Sequence, residues 1–306
     1  MEEKKALYQL IMENLTDNGT LPEDFYLPSE DGNEKPKFVN GAMDGISIYH
    51  MGFSPLNDEE SSELERLIRL AAGEKTKEAE EGFFAFCKSH RAVKIIDALQ
   101  GFIMDHQNEL SAGIMHAFAT DMMFGSSYAE CVKIGMSILE LFNTYEDAQL
   151  ADAIRTIGAC DEFTIFSVFL MRGWPDANKE ILGLAKKVRG WGRIHCVDFI
   201  EPESDEIKEW LLENGVDNDI MPAYSGYRVF EKAQIDSLIE KNDLTKEQLR
   251  NILKVIDAML DEGPISGISN LEDPEEFLNK VLTKTEEFSF DEEDAAILEH
   301  IRKWKE

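Results

Sequence analysis

Apolar residues recur at spacings of three and four along most of this chain, the period of an amphipathic helix rather than a strand. Ala6, Leu7, Leu10, Ile11, Met12 and Leu15 form the first such stripe and predict a helix from about Glu3 to Asn18, stopped by Asn18-Gly19. Residues 20–37 lose the pattern and are rich in Pro, Asp, Glu and Gly, the composition of a loop. The stretch from Phe38 to Tyr49 is of another kind. It carries the turn signals Asn40-Gly41 and Asp44-Gly45 and a short alternation at Ile46 and Ile48. That combination predicts a small N-terminal β-hairpin, which needs the helices to pack against because a two-stranded ribbon is marginal alone.

From Asn57 onward the pattern is helix after helix. Asn57 with Glu60 has the form of a capping box, followed by Leu64, Leu67, Ile68, Leu70 and Ala71 and closed by Gly73. Thr76 opens the next helix, with Ala79, Phe83, Phe84 and Cys87 expected inward. Further helices are predicted over 93–104, 110–124, 128–142, 146–157 and 162–172, joined by short polar turns, as in stacked antiparallel helices. Beyond Lys232, Thr245 with Gln248 forms a second capping box. Asp273-Pro274 starts another helix, and the acidic run from Asp291 starts the last.

Two segments match each other within this series. Leu150 to Gly158 and Ile207 to Gly215 are both amphipathic helices ending at glycine. Between them, 162–215 pairs amphipathic helices across Asp/Pro turns and ends in Trp210-Leu211-Leu212 before Gly215. This resembles HEAT or armadillo-type repeats over residues 58–232. The resemblance is one of pattern, without a diagnostic motif. It implies an all-α chain folded as an α–α superhelix, a solenoid whose concave face binds another macromolecule. The expected organisation is 1–56 as helix, loop and hairpin, 57–232 as repeats, and 233–306 as an acidic helical segment closing them.

Charge changes what such a protein can bind. Of 306 residues, 61 are Asp or Glu and 31 are Lys or Arg, a formal net charge of −30. Such a surface repels phosphate backbones and anionic membranes and favours basic partners. Broad nucleic-acid binding and membrane association are therefore not expected. No segment has the length and continuity of a membrane span, and Met1 to Leu15 does not read as a signal peptide. Cys87, Cys131, Cys160 and Cys196 are scattered in apolar contexts and read as buried free thiols in a reducing cytoplasm.

Candidate chemistry is sparse. Lys186, Lys187, Arg189, Trp191, Arg193 and His195 concentrate four cations and an imidazole around an indole in an otherwise acidic chain. Such a set could hold an anion, a planar group or a partner, or it could cap a helix and plug a helix junction. His106 and His116, with Asp105, Glu109 and Asp121 nearby, contain metal-ligand types, but ten residues apart they need not share a face. Tyr49-His50 follows the expected hairpin. Nucleophile-elbow, P-loop and dinucleotide-binding motifs are missing, and no cofactor or metal is expected. The expected function is non-enzymatic binding of a protein or peptide, possibly a basic one. The alternatives are a HEAT-like DNA glycosylase, with Trp174, Trp191 and Asp198 as raw material, and an enzyme acting on a small anion at the Trp191 patch.

Overall fold

The structure is a computed structural model and describes residues 5–28, 38–263 and 265–305. It is all-helical, and among the described residues there is no β-strand. The chain divides into two compact units, Met1–Val188 and Arg189–Glu306.

The first unit contains α1 (Leu7–Asn14), α2 (Ala42–Ile46), α3 (Asp58–Ala71), α4 (Thr76–Phe86) and α5 (Ala92–Asp105). It continues with α6 (Ala112–Gly125), α7 (Ala129–Leu139), α8 (Ala148–Gly158), α9 (Thr164–Arg172) and α10 (Ala177–Ala185). Helices α3, α5, α7 and α9 pack one after another in a row. On that row α4 lies against α3, α6 against α7, and α8 and α10 against α9, while α1 packs on α6 and α8. Helix α7 is central to the row, and everything from Glu130 to Leu139 is buried. Gly135 permits the close approach of α6: a Cβ there would lie 2.6 Å from the Ala119 carbonyl oxygen.

The second unit repeats this arrangement. It comprises α11 (Trp191–Phe199), α12 (Asp205–Asn214), α13 (Ala223–Lys232), α14 (Ile235–Ile239), α15 (Lys246–Leu260), α16 (Pro274–Thr285) and α17 (Glu292–Trp304). Here α11, α13, α15 and α17 form the row, with α12 against α13 and α15 and α14 against α13 and α16. Residues beyond Lys232 are thus packed into the same unit as α11–α13.

Local cap chemistry sets many of the helix starts. Asn57 with Glu60 and Thr245 with Gln248 close complete capping boxes. Asp273 caps α16 with Pro274 at its first position, and Asp291 caps α17. The first helix is shorter than expected, because Leu15 turns extended. The expected start at Glu3 and the loop part 29–37 lie outside the described residues. Phe84, expected inward, is 43% exposed, packed edge-on against Tyr128 and covered by Lys88.

The expected hairpin is corrected outright: residues 42–51 are α2 followed by one π-helical turn, Ser47–Met51. The physical reason lies in the two glycines. Gly41 is left-handed (φ 79°), but that conformation starts a helix instead of making a hairpin turn. Gly45 sits inside α2 and donates to the Gly41 carbonyl. The side chain of Asn40 is held by the loop, accepting from Leu27 N at 3.3 Å and donating to the Phe25 carbonyl at 3.3 Å.

Candidate functional site

The N-terminal ends of α5, α7 and α9 meet in the first unit, and α2 lies against them. Arg91 is the N-cap of α5, Glu130 and Lys133 lie on the first turns of α7, Glu162 just precedes α9, and Asp44 comes from α2. These five charged side chains form one interior network. Lys133 has no exposed side-chain surface, Asp44 1% and Glu130 3%. Arg91 and Glu162 reach the edge, at 26% and 16%.

The Lys133 ammonium donates to Asp44 Oδ2 at 2.6 Å, to Glu130 Oε1 at 2.9 Å and to Glu162 Oε1. Its three protons therefore have three acceptors. Arg91 Nε donates to Asp44 Oδ1 at 2.8 Å, and Arg91 Nη2 lies 3.0 Å from Glu130 Oε1. The remaining carboxylate oxygens serve the backbone. Glu130 Oε2 accepts from Ala92 N, and Glu162 Oε2 from Gly41 N, each at 2.6 Å. Three carboxylates against two cations leave one formal negative charge, set beside helix N-termini whose dipoles favour it.

The electrostatics fix the protonation states. Burial by itself raises the Asp44 carboxyl, but Lys133 and Arg91 outweigh it and hold the group below its ordinary value. Burial opposes charge on Lys133 and on Arg91 as well, and the three carboxylates outweigh it, raising both above their ordinary values. Lys133 is thus a permanent ammonium. Nucleophilic or Schiff-base chemistry needs a lysine displaced the other way, so the cluster is not arranged for it. Nearby Cys160 is wholly buried and its thiol is pushed well above its ordinary value, which makes it inert.

Asp44, Glu130 and Glu162 each place a carboxylate oxygen within 4.8 Å of the others, the donor type a hard cation takes. The residues do not fit a metal as they stand, because the Lys133 ammonium occupies the space between them.

No protein-family model, curated protein or solved structure matches this chain. The functional reading therefore rests on its own residues.

The structure separates the residues singled out in the sequence. Lys186 and Lys187 end the first unit, with Lys186 exposed and the Lys187 ammonium beside Gly19. The others open the second. Arg189 pairs with Asp219 at 3.0 Å. Arg193 donates to the Asp217 carbonyl at 3.1 Å and lies over the Trp210 ring. Trp191 is 3% exposed and packed on Tyr224, and His195 is 1% exposed. The indole is thus core of α11 in this unit and offers no open face for stacking. Lys232 reaches the carbonyls of Val197, Asp198 and Ile200 and caps the end of α11. His106 bonds back to the Phe102 carbonyl and stacks on Phe102, while His116 meets Phe142 edge-on, so each imidazole is packed separately. His50 is exposed in the π-helical turn.

The sequence reading missed all five cluster residues. One signal was available: Glu130 and Lys133, three apart, are the only charges in an otherwise apolar or small-residue α7. A fully apolar helix has no solvent face to carry charge, so a pair of that kind has to find partners inside.

Proposed function

We propose that this chain is a cytoplasmic, non-catalytic helical-repeat protein of the HEAT-like solenoid kind that binds a basic protein or peptide. The row packing within each unit supports the repeat reading, since each row helix stacks on the next and carries its neighbours on one side. The observation that carries the binding reading is the acidic excess of −30 together with where it lies. Among the described residues only Asp44, Glu130 and Asp294 are buried carboxylates, so the excess faces solvent. Several cations are already engaged internally, as in Arg69–Glu109, Arg155–Glu180 and Lys280–Glu240. The resulting field steers cationic partners and weakens with salt. The five-charge cluster, its donors and acceptors satisfied, serves as scaffold in this reading.

The test is calorimetric titration with a Lys/Arg-rich peptide and a Glu-rich peptide of equal length. Saturable binding of the basic peptide alone, weakened at least about tenfold between roughly 50 and 300 mM salt, is expected. A wild-type protein that gives no saturable binding of the basic peptide at low salt overturns the reading.

A further inference from the structure

At the opposite ends of α7 and α9 from the charge cluster lies a cavity of about 340 Å³. That is the lower end of the range for small-ligand sites, ~300–1,000 Å³. Its lining carries two opposite charges, Glu140 at the C-cap of α7 and Arg172 at the end of α9. Phe142, Phe169, Leu170 and Trp174 supply apolar wall, and Thr144 a hydroxyl.

These groups are held in place. Gln100 Nε2 donates to Glu140 Oε2 at 2.7 Å and to the Ser137 carbonyl at 2.9 Å, so the amide fixes the carboxylate to α7. Trp174 is 5% exposed; Arg155 lies over its ring at 5.0 Å and Tyr145 packs at 5.7 Å. Arg155 is clamped by both oxygens of Glu180, at 2.8 and 2.7 Å. The indole Nε1 donates to Thr144 Oγ1 at 2.9 Å, which leaves the Thr144 hydroxyl as a donor.

The charges are unevenly answered. Burial raises the Glu140 carboxyl above its ordinary value, the Gln100 bond and the Arg172 charge lower it, and Asp97 raises it further. A half-buried carboxylate in that state gains from an arriving cation. The carbonyl ends of α7 and α9 favour positive charge at the same place. Arg172 and Thr144, in turn, offer donors to an acceptor such as a carboxylate.

We propose that this cavity binds a small aminocarboxylate, its ammonium against Glu140, its carboxylate against Arg172 and Thr144, and its apolar side chain against Phe142 and Phe169. A simple amine or a simple acid of the same size satisfies one charge and desolvates the other without a partner. A zwitterion matches both. The site lies within the first unit and is independent of the partner reading above.

The test is titration calorimetry with L-phenylalanine and its two half-molecules, phenethylamine and 3-phenylpropionate. L-Phenylalanine binds at least about tenfold more tightly than either, the worth of one charged hydrogen-bonded contact. In Glu140→Gln the advantage over 3-phenylpropionate disappears while the advantage over phenethylamine persists. In Arg172→Gln the pattern reverses. This crossed pattern cannot come from misfolding, which weakens all three ligands alike. Equal loss of all three ligands in both variants, or wild-type discrimination retained in both, overturns the proposal. So does the failure of wild type to bind either L-phenylalanine or L-leucine at up to about 10 mM.

Discussion

Replacing Lys133 with methionine removes one charge and keeps an unbranched stem, so packing around α7 changes little while the electrostatics change fully. Asp44, Glu130 and Glu162 then face one another with oxygens within 4.8 Å. At an effective dielectric of ~20, two such charges repel by roughly 3–4 kcal/mol, and Arg91 alone remains to answer three. Proton uptake limits the damage. Protonating one carboxyl of ordinary pKa at pH 7 costs about 4 kcal/mol, and the loss cannot exceed that by much. Lys133→Met is therefore expected to destabilise the first unit by ~3–5 kcal/mol, the usual cost of removing one partner from a buried ion pair. For a unit of this size that is a fall of roughly 6–20 °C in midpoint. Because the chain has two units, the assay is hydrogen exchange read by mass spectrometry on peptides from α5, α7 and α9. It is repeated at pH 4. In wild type the Asp44 carboxyl sits below its unfolded value of 3.8, so its pairing adds stability that is present above that value and lost as pH falls through the folded one. The variant lacks most of this contribution and regains stability on protonation, so the gap between the two proteins narrows toward pH 4. A variant as stable as wild type at pH 7, or a gap that widens in acid, refutes the electrostatic account.

Further predictions follow from single sites. Glu140→Gln should raise the denaturation midpoint at pH 8 and leave it nearly unchanged at pH 4. The native carboxyl is raised by burial, so its ionised form costs stability only above the unfolded value; chemical denaturation at both pH values checks the sign. Gly135→Ala should destabilise by ~1–3 kcal/mol, since the new methyl meets the backbone of α6 at 2.6 Å. Gly101→Ala, which meets nothing within 4 Å in α5, should stabilise by ~0.5–1 kcal/mol, and paired thermal melts separate the two outcomes. All four cysteines are buried and Cys160 is further protected by its raised thiol, so a thiol reagent should label the native protein only after unfolding.

What could be read from the sequence was local chemistry. The capping boxes at Asn57 and Thr245, the Asp273-Pro274 start and the Asp291 cap fall where the residue types put them, because a cap needs only its own first turn. Asn40-Gly41 misled for the same reason: a left-handed glycine serves a hairpin turn or a helix start equally, and only the contact of Gly41 N with Glu162, 121 residues on, settles which. The Lys186–His195 run looked like a surface patch because its charge density is unusual. Yet α11 has to bury one face, and Trp191 and His195 lie on it. The ion cluster was hidden because Asp44, Arg91 and Glu162 are unremarkable singly. Their meaning comes from the stacking of α5, α7 and α9, which no short window contains.

A stack of repeats can in principle assemble from one end, each helix pair resting on the last. The cluster forbids this in the first unit. Asp44 is made 89 residues before the Lys133 that neutralises it. At ~5–20 residues per second of synthesis, it waits roughly 4–18 s with a charge that has nowhere to be buried. Until α7 emerges, then, α2 has no reason to dock, and the start of the chain is stored in solvent while its middle is built. The N-terminal segment is thus made early and put in place late, so the first unit closes in a single concerted step around Lys133.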